Sequence, residues 1–510
     1  MEHVIAQTSS GKVRGIVNNG INVFKGIPYG GPVDGARRFA RPTKPAPWPG
    51  IRDAFEFGPR AMQDDNAFAM PPEMLKLFTA EPLPMHENCL VLNVWTPAVN
   101  DGRKRPVMFW CHGGAFISGS GSSPWYDGAN LARKGDVVVV TINHRLNVFG
   151  FLHLDELGGG EAFGSSGSAG MLDIVAALEW VRDNIAAFGG DAGNVTIFGE
   201  SGGGAKVSVL LAMPAAHGLF HKAIMQSGPA VQMASREDAT ATARRVLAEL
   251  GLGESQLGEL RRVSADQLNK AQNAVVRNVS MMSFANRRRM GFNPVVDGTN
   301  LPGGPFEPVA PAISANIPLM IGTNKDEMRL FFGLAPWLDK LDETTTRERA
   351  RMFVGDRGDA ILEAYRRARP NDPPRDILLA IATDHAMRMP SLMTADRKTA
   401  QHGAPVFVYL FTWETPVLGG RLKSPHALEI PFVFDNLQAP RLAGDSPTRF
   451  ALGDKMSRTW IAFARTGNPN NDAIPTWPSY SIEDRPTMMF DNECRLQNDP
   501  YSAERLAWGS

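Results

Sequence analysis

Val195-Thr196-Ile197-Phe198-Gly199-Glu200-Ser201-Gly202-Gly203 reads as a strand, then a serine framed by glycines two residues before and two after it, then the start of a helix. The β-rich run before the serine and the Ala/Val/Leu-rich stretch 203–213 after it give this G-x-S-x-G its context. A nucleophile on such a turn sits on strained backbone, so its neighbours at two residues' distance must be small. The turn lifts the serine oxygen above the sheet and aims a helix N-terminus at it, where developing negative charge is favoured. The competing reading, a glycine-rich turn with an incidental serine, fits the flanking strand and helix poorly.

Working outward, strands alternate with amphipathic segments. Residues 89–96 read as a strand ended by Pro97, and 105–111 as another running into His112-Gly113-Gly114. Residues 136–143 are nearly all β-branched, as in a parallel strand buried on both faces. The stretch 169–188 carries Leu172, Val175, Ala176, Leu178, Trp180 and Val181 at helical spacing before Gly189-Gly190. Sheet-like segments resume at 317–323 and 406–413. This pattern predicts an α/β fold: a mostly parallel central sheet flanked by helices, with the site beyond the carboxyl ends of the strands. The charged, helical stretches at about 235–290 and 340–400 read as excursions from a single domain spanning 1–510.

Composition narrows the function. Of the 510 residues 43% are hydrophobic and 21% charged, enough for a large core. Lys+Arg 53 against Asp+Glu 53 gives a net charge of zero, which argues against a nucleic-acid partner. The polar start of the chain lacks the apolar run of a secretory signal, and no apolar stretch is long enough to span a bilayer. Cys89, Cys111 and Cys494 are too few and too scattered for a disulfide framework or a zinc site. The expectation is a cytoplasmic protein with no metal, no cofactor and no membrane partner, working as a monomer or homodimer.

Acyl transfer needs backbone donors aimed where a carbonyl oxygen turns negative, and losing one costs on the order of 10²–10³ in rate. His112-Gly113-Gly114-Ala115-Phe116 leaves a buried strand and has small residues where the main chain must approach substrate. The donors expected are the N–H groups of Gly114, Ala115 and Gly202. His112, Phe116 and Trp125 anchor this loop, His112 in a structural role.

The chain order for such a hydrolase is serine, then acid, then histidine. Five histidines follow Ser201. His217 and His221 lie too close behind it, His385 sits in a helical pattern, and His402 precedes a strand, at the wrong end of the sheet. His426 follows that strand in the loop Lys423-Ser424-Pro425-His426, so position selects it. The acid should also follow a strand, and Asp326-Glu327 come just after 317–323. A carboxylate there would hold the imidazole tautomer and stabilise the imidazolium. Nothing in the residues separates Asp326 from Glu327.

The chain closely resembles the type B carboxylesterase family, which contains bacterial para-nitrobenzyl esterases, animal carboxylesterases and cholinesterases. Phe188-Gly189-Gly190-Asp191 through Gly199-Glu200-Ser201-Gly202-Gly203 is similar to that family's serine signature. Phe24-Lys25-Gly26-Ile27-Pro28-Tyr29, Glu87-Asn88-Cys89-Leu90, Asn143-His144-Arg145-Leu146, Phe292-Asn293-Pro294-Val295-Val296-Asp297-Gly298 and Trp477-Pro478-Ser479-Tyr480 extend the likeness along the chain. The resemblance implies the α/β-hydrolase fold, Glu327 as the acid, His426 as the base, and the hole of Gly114, Ala115 and Gly202. It also implies that Glu200 and Ser227 line or buttress the site. Gly202 replaces the family's frequent alanine, and Met328 stands where a glycine is common. Cys89 matches a cysteine that secreted members pair, yet 61–85 holds no partner for it. The same segment has no Trp or Tyr to bind a quaternary ammonium, so cholinesterase activity is not expected.

The function expected is a serine carboxylester hydrolase working through an acyl-enzyme on a small-molecule ester. Apolar residues in 68–78 and 281–292 suggest a roomy apolar gorge for medium-chain or aromatic esters, dialkyl phthalates among them. Two alternatives are a lipase with 70–83 as its lid and a non-catalytic binding member of the fold.

Overall fold

The computed structural model describes residues 2–509 apart from 66, 69, 79–82, 277–290 and 439–440. Its strands are β1 (His3–Thr8), β2 (Gly11–Asn18), β3 (Ile21–Pro28), β4 (Ile51–Asp53), β5 (Val91–Thr96), β6 (Arg105–Cys111) and β7 (Val138–Ile142). Then follow β8 (Gly190–Glu200), β9 (Lys222–Gln226), β10 (Leu319–Asn324), β11 (Val406–Phe411), β12 (Pro486–Phe490) and β13 (Arg495–Asn498). They form one sheet in the order β1-β2-β3-β5-β7-β6-β8-β9-β10-β11-β12-β13, with β4 beside β2. Pairing is parallel from β7 to β12 and antiparallel at both flanks, apart from β4, which runs parallel to β2.

The near-continuous apolar composition of the central strands follows from burial on both faces. Val107, Phe109 and Cys111 of β6 enter one core while Met108 and Trp110 enter the other. Leu319 and Ile321 of β10 likewise part from Met320, and Val406 and Val408 of β11 from Phe407, Tyr409 and Phe411. Each such side chain, fully buried, contributes roughly 1.5–3 kcal/mol. Cys89, Cys111 and Cys494 are buried free thiols, so the core is not stapled.

Element types follow the sequence pattern, and the boundaries move where tertiary pairing intervenes. β8 begins at Gly190, five residues before its apolar run, because Gly190 pairs with Arg105 beside an irregularity in the β6 register. The predicted helix 169–188 is α-helical over Ala169–Asn184 and finishes as a 3-10 turn, Ile185–Phe188, stopped by Gly189 at φ 73°. The two excursions contain the helices Arg236–Glu249 and Ala265–Val276, and Glu343–Val354, Gly358–Ala368, Pro374–Thr383 and Met389–Thr399. His385 lies on a π-helical turn, Asp384–Arg388, between the last two. Most of the expected gate 281–292 lies outside the described residues, and Phe292 is a core residue. Among the described residues no helix is long and apolar enough to cross a membrane.

Candidate active site

β8 ends at Glu200 and the helix Gly202–Ala212 begins at once, leaving Ser201 between them at φ 56°, ψ −121°. Its N–H donates to the Gln226 carbonyl at 2.8 Å and its carbonyl accepts from Ala205 at 3.0 Å, so the strained conformation is tied at both ends. A Cβ on Gly199 would lie 2.6 Å from the Cys111 oxygen, and one on Gly203 only 2.0 Å from it. Those glycines let the helix seat on the end of β6. Gly228 closes in from below, where a Cβ would sit 1.9 Å from the Ser201 carbonyl oxygen.

Two loops bring the other groups to this turn. After β10, Lys325 N–H bonds Phe411 O at 2.9 Å and Asp326 N–H bonds Ser424 O at 2.9 Å. The Asn324 amide reaches Pro425 O at 2.7 Å. This lacing sets His426 Nδ1 2.6 Å from Glu327 Oε2, while Glu327 Oε1 accepts from Asn324 N–H at 2.8 Å. Both side chains are buried. The structure thereby separates the adjacent carboxylates: Glu327 faces the imidazole, and Asp326, itself largely buried, faces Arg329 at 3.4 Å. Met328 adopts ordinary right-handed backbone and packs in the core, so no glycine is needed there.

On the far side of the ring, His426 Nε2 lies 3.1 Å from Glu200 Oε1. This is a close charge contact rather than an aligned hydrogen bond, since Oε1 has no hydrogen-bond partner among the described residues. Burial alone would push the imidazole down, but the Glu200 and Glu327 carboxylates outweigh it and raise His426 to about 9. Burial drives Glu200 up, with His426 opposing and Glu429 and Glu327 adding to the rise. A Glu200 that keeps its proton withdraws one of the three carboxylate charges, with Glu327 and Glu429, that lift the imidazole.

The loop after β6 has Gly114 at φ 87° and Ala115 at φ 52°. A Cβ on Gly202 would fall 2.3 Å from the Ala115 nitrogen, so the main chains of the loop and of the helix start meet there, with no room for alanine at 202. No hydrogen bond from Gly114 N–H or Ala115 N–H is recorded among the described residues. His112 is buried and structural: its Nδ1 is 2.8 Å from Gly113 O and its ring stacks on His144 at 5.0 Å. Ser227, at φ 50°, hangs its N–H on Gly322 O at 2.8 Å. It precedes Gly228 beneath Ser201, and its buried hydroxyl has no hydrogen-bond partner among the described residues.

Ser201, His426, Glu200, Gly113 and Gly114 line a pocket of about 290 Å³ whose apolar wall is Phe68, Met70, Phe78, Trp125, Leu330, Phe331 and Ile430. Phe78, at the end of the helix Pro72–Phe78, stacks on Trp125 at 5.0 Å. Part of the expected lid, 79–82, lies outside the described residues. Phe331 covers the His426 ring at 5.3 Å. Several neighbours were not anticipated. Glu429 accepts from Gln226 Nε2 at 3.1 Å and Asn324 Nδ2 at 2.7 Å, and burial raises it. Tyr126 also lines the pocket, and burial raises its hydroxyl. Glu429 stands three residues after His426, and Asn324 is the last residue of its strand, so proximity in sequence was the available signal.

A serine on a strained turn at the end of a central parallel strand, with a buried carboxylate–imidazole pair after later strands, is the arrangement of an α/β-hydrolase. The sequence pattern of the carboxylesterase family matches residues 2–508, and the chain belongs to that family. It is 40% identical to the para-nitrobenzyl esterase of Bacillus subtilis over 99% of this chain and 98% of that protein. It is 32% identical to the phenmedipham hydrolase of Pseudarthrobacter oxydans, covering 96% and 95% of the two chains. A solved carboxylesterase of Geobacillus stearothermophilus superposes with a TM-score of 0.86 at 42% identity, covering 99% of each chain. The protein is thus an esterase acting on small carboxylic esters.

Proposed function

We propose that Ser201, His426 and Glu327 carry the esterase reaction through an acyl-enzyme. The observation that carries this reading is the 2.6 Å Glu327–His426 pair, set beside a serine on strained backbone in the same pocket. Ser201 Oγ attacks the ester carbonyl carbon and its proton passes to His426 Nε2. The oxyanion is held by Gly114, Ala115 and Gly202 N–H. The C–O bond to the alcohol breaks, and His426 returns the proton to the leaving oxygen. Water then attacks the acyl carbon by the same route, freeing the acid and Ser201. Bonds between serine and base in unliganded sites are commonly long and tighten with substrate, which suits Nε2 facing Glu200 here. Glu200 and Ser227 support the site, Glu200 through the imidazole and Ser227 through the floor under Ser201.

The substrates proposed are medium-chain or aromatic esters, dialkyl phthalates among them. Support comes from the aromatic wall of Phe68, Phe78, Trp125 and Phe331 and from the names of the para-nitrobenzyl and phenmedipham relatives. The same reading takes 1–510 as a single domain, cytoplasmic, and a monomer or homodimer. The test is turnover of para-nitrophenyl acetate, butyrate and octanoate by wild type and Ser201→Ala. The proposal requires activity in the first and background in the second. Full activity in Ser201→Ala would remove the nucleophile, and activation at an oil interface would favour a lipase.

A further inference from the structure

The helix that begins at Gly202 is buried along its whole length, and one turn in it carries a lysine. Lys206 is 0% exposed. Its Nζ donates to the main-chain carbonyl of His112 at 2.8 Å and lies 5.6 Å from the centre of the Phe116 ring. No carboxylate lies within ion-pair distance of it among the described residues; Asp173, one helix away, is taken by Arg145 at 2.7 Å. A buried amine without a counter-charge is costly where a methionine would pack freely, so packing does not account for it. The helix has no need of this bond to stay on the sheet, because Gly199 and Gly203 already seat it against Cys111 O.

What the bond does reach is the loop. His112 is the first residue past β6, and Gly113, Gly114 and Ala115 follow it directly. We propose that Lys206 is the positioning residue of the oxyanion hole. By tying the nucleophile's helix to the His112 carbonyl, it holds the donor on the helix, Gly202 N–H, in fixed geometry with the donors on the loop, Gly114 and Ala115 N–H. Burial draws the amine down to about 7, and the tie survives either way, because ammonium and amine both carry N–H to donate. The stack of His112 on His144 and its Nδ1 contact with Gly113 O restrain the next peptide of the loop as well.

This inference rests on the oxyanion hole proposed above. The test compares wild type, Lys206→Met and Lys206→Gln in steady-state hydrolysis of para-nitrophenyl butyrate and in affinity for two ligands. One ligand is a trifluoromethyl ketone, which forms a tetrahedral adduct on the serine; the other is butyrate, the product. In Lys206→Met we expect kcat to fall by about 10–100-fold with KM within about twofold, as for partial loss of oxyanion donors. Affinity for the ketone should fall by the same factor while butyrate binding is kept. Lys206→Gln, which retains an N–H donor, should recover part of the loss and provides the reading if the methionine variant does not fold. Wild-type kcat and ketone affinity in Lys206→Met, or equal losses for ketone and butyrate, would overturn the proposal. Ser201→Ala in parallel keeps the two readings apart: if it is inactive while Lys206→Met is unchanged, only the role of Lys206 fails.

Discussion

His426 presents Nε2, the nitrogen that takes the serine proton in the proposed mechanism, to Glu200 Oε1 at 3.1 Å. The imidazole therefore lies between two carboxylates, with Glu327 at its other nitrogen. A base acts when unprotonated, so raising its pKa moves the active window upward. With His426 raised to about 9, kcat/KM should climb as pH rises from about 6 through 9. Glu200→Gln removes one of the lifting charges, so the acidic limb of the profile should move to lower pH. A pH–rate profile of both enzymes checks this; an unmoved limb would mean Glu200 carries no charge while His426 titrates.

Glu327→Gln should lower kcat by on the order of 10³–10⁴ with little change in KM, because an amide facing Nδ1 favours the wrong tautomer. Asp326→Asn, one residue away and turned to Arg329, should leave kcat within about threefold. Steady-state kinetics on the two variants measures the separation of these neighbours. Equal effects would contradict the site geometry.

Gly203→Ala should be destabilising as well as inactivating. Its Cβ would meet the Cys111 main-chain carbonyl at 2.0 Å, and the helix must lift to relieve it. About 1–3 kcal/mol of stability should be lost, read as a lowered Tm, together with most esterase activity. A variant with wild-type Tm would show that the helix sits farther from β6.

Phe78 and Trp125, stacked at 5.0 Å, stand between the pocket lined by Ser201 and His426 and a neighbouring cavity of about 530 Å³ that both residues also line. Phe78→Ala should join the two spaces. The ratio of kcat/KM for octanoate over acetate esters should then rise by about tenfold or more, the scale of a single methylene in an apolar pocket. A chain-length series on wild type and variant reads this, and an unchanged ratio would place the acyl chain elsewhere.

Much of this site was legible before the fold. A strained turn demands glycines at fixed offsets, so Ser201 announced itself locally, and the end of the sheet on which each histidine fell singled out His426. Glu327 was not separable from Asp326 by position, because which of two adjacent side chains turns inward depends on the lacing of Asn324, Pro425 and Ser424. The antiparallel flank β1–β3 and the early start of β8 also depend on pairing between distant segments, which periodicity does not encode. Lys206 left a trace, a lone cation in the Ala/Val/Leu run after Ser201, and its meaning came only from the carbonyl it meets.

In the proposed reaction Ser201 is acylated. The most direct measurement is rapid acid quench of the enzyme during turnover of para-nitrophenyl butyrate, followed by peptide mass mapping. A butyryl adduct is expected on the peptide containing Ser201, absent from Ser201→Ala. An adduct on another residue, or a pre-steady-state burst of para-nitrophenol with Ser201 unmodified, would contradict it.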